Sequence, residues 1–200
     1  LIDDWSTVSD AEIVAIAEPN RELHAKVGPN AGRPTFYDRW EDLIDTARPD
    51  LIQITTENNA ALPVVEFAAA RGIAIMLEKP LAARLADGIK IYETAMRAQV
   101  PFMVNWFTMW DPAITTVLEL VKRGDIGRPH YFRFRIGHAG PREIGCTPEF
   151  YSWLYDEQRN GGGAFVDFCG YGAYMAAWLM GEPTSVSGVS GRWVQRDIDV

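Results

Sequence analysis

Four short apolar runs in the first half of the chain limit what it can fold into: "AEIVAIAEP", "PDLIQITT", "IAIMLE" and "PFMVNWF". Each is nearly continuous in its apolar residues rather than alternating. A strand of that kind must be covered on both faces, which is the condition of a parallel sheet sandwiched by helices. The intervening stretches have the right spacing to cover it. "RELHAKVG" predicts a short helix stopped by Gly28. "YDRWEDLIDTA" places Trp40, Leu43, Ile44 and Ala47 on one helical face. "AALPVVEFAAARG" closes on Gly72 and holds Pro63 near its start, where proline is tolerated, while "LADGIKIYETAMRAQ" is helical despite Gly88. Strand and helix thus alternate from about residue 11 to 107. Right-handed crossovers turn that alternation into a Rossmann-type doubly wound sheet.

The pattern changes after about residue 110. "DPAITTVLELVKRGDIG" predicts a helix with Asp111 as N-cap and Pro112 at its first position. "RPHYFRFRIGHAG" alternates aromatic and basic residues, the period of a half-exposed strand. A polar, aromatic loop, "PREIGCTPEFYSWLYDEQRNGGG", leads to a helix over "AFVDFCGYGAYMAAWLMG" that ends at Gly181. "TSVSGVSGRWVQRDIDV" predicts one or two antiparallel strands. The expected division is an α/β domain over 1–108 and an α+β domain with a mainly antiparallel sheet over 109–200.

A net charge of −8 excludes a protein that coats nucleic acid, because phosphate neutralisation needs a basic face. The two cysteines, Cys146 and Cys169, have neither metal-ligand spacing nor a disulfide framework, so a cytoplasmic setting is expected. No apolar run approaches the roughly 20 residues of a membrane helix. No metal-ligand set emerges. The opening "LIDDWSTVSD" carries neither a Met nor a signal-peptide pattern.

In an open parallel sheet, ligands bind outside the carboxyl ends of the strands. Three polar clusters fall there: Glu18, then Thr55 to Asn59, then Glu78–Lys79–Pro80. Glu18 ends its strand where dinucleotide-binding folds place an acid on the ribose hydroxyls; the alternative is a solvated loop carboxylate. Lys79 is more telling. A lysine at the end of a buried strand needs a partner, Glu78 offers a local counter-charge, and Pro80 restricts the backbone before it. An ammonium in a cleft can polarise a hydroxyl or carbonyl and pass a proton. The competing reading is a surface lysine beside a turn proline. "NGGGAFVD" is either an anion site at a helix start or a turn needing positive φ. The aromatics from Phe150 to Tyr155 either line a sugar-binding face or pack as a loop.

Taken in order, "EIVAIAEPN", "PDLIQITTENN", "GIAIMLEKPLA", "DPAITTVLELVKRGDIG" and "GGGAFVDFCGYGAYMAAWLMGEP" resemble the glucose–fructose oxidoreductase / inositol dehydrogenase / rhizopine catabolism family (Gfo/Idh/MocA). The resemblance implies an NAD- or NADP-binding domain followed by a substrate domain whose sheet forms homo-oligomers. It implies hydride transfer between nicotinamide and a carbinol or keto carbon of a sugar- or cyclitol-like substrate; the alternative is a non-catalytic dinucleotide or sugar-binding regulator on the same fold. By the same resemblance Lys79 contacts substrate and nicotinamide ribose and assists proton transfer, and Glu78 lies by the nicotinamide. Glu18 holds the adenosine ribose, which favours NAD, while Arg21 keeps NADP open. Thr56 and Asn58 match the loop along the cofactor, and Asp167 orients the substrate or the acid/base.

Departures from the family pattern carry their own expectations. The chain is expected to start on the tail of the family's first helix, without the first strand and GxGxxG loop, and to end within the second domain. Where the family often reads Asp-x-Gly-x-His-x-x-Asp, this chain has "DFCGYGAY": Asp167 is kept, Tyr171 stands at the His and Tyr174 at the second Asp. Tyr171 can take over as acid/base if a cation such as Lys79 lowers its pKa, or it marks lost chemistry. The usual Thr-Pro is altered to Thr56–Glu57, and Met109–Trp110 precede "DP" where Arg is common.

Overall fold

A computed structural model describes residues 2–27, 31–189 and 191. The expected strands form at Ala15–Ala17 (β1), Leu51–Ile54 (β3), Ala74–Glu78 (β4) and Phe102–Asn105 (β5), joined by a further strand, Thr35–Tyr37 (β2). The last was not foreseen, since three residues between Pro34 and Asp38 are too few to show a period. All pairings are parallel: β1 with β2, and β3–β4–β5 in that order, with Glu78 opposite Asn105. The helices are Ile2–Trp5 (α1), Arg21–His24 (α2), Trp40–Ala47 (α3), Ala61–Ala69 (α4) and Leu85–Ala98 (α5). Gly28, the expected stop of α2, lies outside the described residues.

The core sits where these helices meet the sheet. Ile44 of α3, Val65 of α4, Ile75 of β4 and Ile91 of α5 are each at most 1% exposed. Burial of such side chains contributes roughly 1.5–3 kcal/mol each. Gly88, the expected weak point of α5, is buried against Leu81. Among the described residues no ladder links β1 to β3. A cleft of about 1210 Å³ lies between them, lined by Trp5, Ile16, Trp40, Leu43, Ile52 and Gln53 among others.

The second half is helical: Pro112–Arg123 (α6), Pro148–Leu154 (α7), Glu157–Asn160 (α8) and Gly163–Met180 (α9). α6 begins as its sequence requires, with the Asp111 carboxylate accepting from the N–H of Ala113 at 2.8 Å, and ends at Gly124 in the left-handed region. The expected loop after residue 140 contains α7 and α8; Asp156 caps α8 by accepting from Gln158 N at 2.8 Å.

The expected antiparallel sheet is the main correction. Residues 128–138 form no strand, and no described residue beyond Asn105 lies in a sheet. The alternation is nevertheless real: Phe132 and Phe134 pack against Met109, Leu118 and Met175, while Tyr131 and Arg133 face outward. Period two decides which face is buried, but a strand also needs a partner's backbone. The strands expected near the C-terminus are absent over 184–189; residues 190 and 192–200 lie outside the described residues. Among the described residues no helix is long and apolar enough to cross a membrane.

Candidate active site

The carboxyl ends of β3, β4 and β5 deliver polar groups to one edge of the sheet. Glu78 is the last residue of β4, and its Oε1 accepts from Gln53 Nε2 of β3 at 3.1 Å and from Asn105 Nδ2 of β5 at 2.7 Å. Trp5 Nε1 in turn donates to Gln53 Oε1 at 2.5 Å, and Trp110 Nε1 to Asn105 Oδ1 at 3.0 Å. A carboxylate spanning three strands is thereby fixed by neutral donors, leaving Lys79 free to pair elsewhere.

Lys79 precedes a cis peptide bond to Pro80. Its Nζ donates to Asp167 Oδ1, so the partner is a carboxylate on α9 rather than the adjacent Glu78. Both side chains are mostly covered, at 20% and 17% exposure. The Nζ also sits 5.6 Å from the ring centres of both Phe168 and Tyr171, within cation–π range.

Tyr171 is 2% exposed and packed edge-on against Trp106 at 5.0 Å and Phe107 at 5.2 Å. Two flanking glycines permit this packing. A Cβ on Gly170 would lie 2.3 Å from the Trp106 ring, and one on Gly172 would lie 2.7 Å from Phe134. Burial pushes the Tyr171 phenol well above the ordinary tyrosine value, and the charges of Asp167 and Glu78 push it the same way. The Lys79 ammonium, the cation that would lower it, is engaged by Asp167.

A second group joins the same two parts of the chain. The loop after β3 turns into a 3₁₀ helix at Asn58–Ala60. Asn58 is buried and its Nδ2 donates to the carbonyl of Asn160, at the end of α8, at 2.9 Å. Arg159 donates through Nε to Glu57 Oε2 at 2.6 Å and through Nη2 to Glu57 Oε1. The turn before α9 follows: Gly161, Gly162 and Gly163 have φ of 102°, 155° and 53°. The glycine run is thus a positive-φ turn. At Gly161 a Cβ would also lie 2.2 Å from the carbonyl oxygen of Ala83.

The structure brings Glu78, Lys79, Asp167 and Tyr171 into one cluster, with Asn58 buried on the loop beside it. Thr56 is exposed and its hydroxyl donates to the neighbouring Glu57 carbonyl at 3.2 Å. Glu18 lies apart, at the end of β1, where its Oε1 accepts from Asn20 N at 2.8 Å. His24 closes α2 and stacks on Phe36 at 4.1 Å, with Nε2 2.7 Å from the Glu18 carbonyl. The aromatics of α7 pack on one another, Phe150 on Trp153 and Tyr151 on Tyr155. Sequence reasoning missed Gln53 and Asn105, although a polar residue inside an apolar strand was a visible signal. Glu57–Arg159 and Asn160 left none.

Parallel strands whose carboxyl ends carry the Asn58 loop and Glu78–Lys79, with Glu18 at the end of the separate β1–β2 pair, form a doubly wound α/β architecture. Residues 2–106 match the oxidoreductase family with an NAD-binding Rossmann fold, Gfo/Idh/MocA, and residues 114–200 match its C-terminal domain; the chain belongs to this family. D-apiose dehydrogenase of Paraburkholderia graminis is 32% identical over 129 residues, covering 64% of this chain and 34% of that protein. Levoglucosan dehydrogenase of Pseudarthrobacter phenanthrenivorans is 28% identical over 182 residues, covering 90% and 45% respectively. A solved levoglucosan dehydrogenase in complex with NADH superposes with a TM-score of 0.75 at 25% identity, covering 90% of this chain and 50% of that one. The chain thus spans about half or less of the length of these relatives.

Proposed function

We propose that the protein is an NAD(P)-dependent oxidoreductase that moves a hydride between nicotinamide and a carbinol or keto carbon of a sugar- or cyclitol-like substrate. The observation that carries this reading is the Lys79–Asp167 pair, which joins the end of β4 to α9 at the sheet edge where ligands bind. A bound NAD or NADP supplies the hydride acceptor or donor. The chain's own residues manage the proton. A substrate hydroxyl hydrogen-bonded to Lys79 Nζ passes its proton to the lysine as the C–H bond breaks, Lys79 handing the proton it shares with Asp167 to that carboxylate, and the transfers run backwards in the reduction direction. Asp167 orients Lys79. Tyr171, held neutral by its surroundings, is a phenol that donates or walls the site rather than a phenolate base.

The fit to a dinucleotide rests on this chain's residues. The Glu18 carboxylate is anchored through one oxygen, which suits it to a ribose diol. Arg21, the group that would receive a ribose phosphate, is engaged by Asp38 at 2.6 Å, which favours NAD. Thr56 and Asn58 lie on the loop proposed to run along the cofactor. A domain boundary near residue 108 agrees with where the two family matches give way to one another. The free thiols of Cys146 and Cys169 suit a cytoplasmic setting. A homo-oligomer of the full-length protein is part of the same reading.

The test is cofactor reduction by the full-length protein across a panel of sugars and cyclitols, with Lys79→Ala beside it. Turnover that falls about 10²- to 10⁴-fold in the variant, with cofactor binding retained, is the expected result. Cofactor binding without turnover at any pH would sink the reading.

A further inference from the structure

We propose that Glu57 and Arg159 are positioning residues: their ion pair sets where α9 begins and so holds Asp167 against Lys79. The inference rests on the reading of Lys79 and Asp167 as the proton-handling pair. It starts from the turn that launches α9. Gly161 and Gly162 connect α8 to Gly163, the first residue of α9; all three have positive φ, and with no side chains they cannot by themselves fix a direction. Asp167 lies in the opening turns of the helix they launch. Its placement therefore depends on how the chain is held just before the glycines.

That anchor is built from three adjacent fastenings, all to the sheet-edge loops on either side of β4. Arg159 grips Glu57 with two nitrogens, the planar fork that imposes orientation as well as attraction. Asn58 donates to the carbonyl of Asn160 at 2.9 Å. Gly161 lies so close to Ala83 that no side chain fits between them, while Ala83 N donates to Asn58 O at 3.3 Å. Residues 159–161 are thus fixed to the loops that flank Lys79. The ion pair contributes little to overall stability, because its side chains are 36% and 33% exposed. Its geometric effect is of a different order: a misplacement of about 1 Å costs roughly 10²-fold in rate. Among the described residues the side-chain oxygen and nitrogen of Asn160 have no partner, so this residue is held through its carbonyl and the Arg159 fork supplies the direction.

The experiment is a double-mutant cycle in the full-length protein. Glu57→Gln is expected to lower kcat about ten- to a hundredfold with KM for the cofactor unchanged. In an Asp167→Asn background the same change is expected to have no further effect. Reversing the pair, Glu57→Arg with Arg159→Glu, is expected to recover part of the loss. An equal fall in both backgrounds, or no fall, would overturn the proposal. Amide exchange reads the same coupling where turnover is too slow to follow. Faster exchange over 163–167 in Glu57→Gln supports the proposal, and unchanged exchange overturns it. Wild-type protein that turns nothing over defeats the functional reading instead, and exchange then decides the latch alone.

Discussion

Strands β3, β4 and β5 and the segment 128–138 are all rich in strand-forming residues, yet only the first three lie in a sheet. The difference is in what covers them. β4 has a hydrogen-bonded neighbour on each side, and its Ile75 and Leu77 are enclosed by helices. Segment 128–138 has one packed face, Phe132 and Phe134 against α6 and α9, and Tyr131, Arg133 and Arg135 face outward. Apolar pattern chooses a face, whereas a ladder requires a second chain segment at the right spacing. The two regions should therefore respond differently to the same kind of damage.

Ile75→Ala should show the largest effect, a loss of about 2–5 kcal/mol in chemical denaturation, since the site is closed on all sides. Gly161→Ala comes next. It forces a Cβ into the Ala83 carbonyl and keeps a positive φ, for about 1–3 kcal/mol and a loosened junction between the regions. If its melting profile matches wild type, the junction is not as tight as described. Phe134→Ala should cost less than Ile75→Ala, about 1 kcal/mol, because the ring is only half-buried. Equal losses would break the comparison. The smallest effect at neutral pH belongs to Tyr171→Phe. Unfolded tyrosine ionises near pH 10 whereas buried Tyr171 stays protonated. The folded state then holds the extra proton, so stability is full below about pH 10 and falls as pH rises through the raised value. Denaturant midpoints taken across that range should fall less steeply in Tyr171→Phe.

Much of the sheet was legible because each strand is a closed apolar run, and Glu78–Lys79 were legible because charge at the end of such a run is costly unless partnered. The identity of the partner was not. Local sequence offered Glu78, but Glu78 is satisfied by Gln53 and Asn105 across the sheet. Asp167 entered through the family pattern alone. Periodicity also located α6 and α9, while α7 and α8 were missed because seven and four residues are too short to display a face. Arg159 and Glu57 lie 102 residues apart, and nothing in either neighbourhood marks the other.

The separation within the Lys79–Asp167 pair, 88 residues, bears on the order in which the molecule comes together. The β3–β4–β5 ladders close through single helical crossovers and so carry a small loop-closure entropy, whereas the link to α9 must close a much longer loop. Contacts of long sequence separation reward the chain only after that closure, which makes them late. The sheet can stand before the lysine meets its carboxylate. Helical signal and core burial should recover first on refolding, and the Lys79–Asp167 contact should form later.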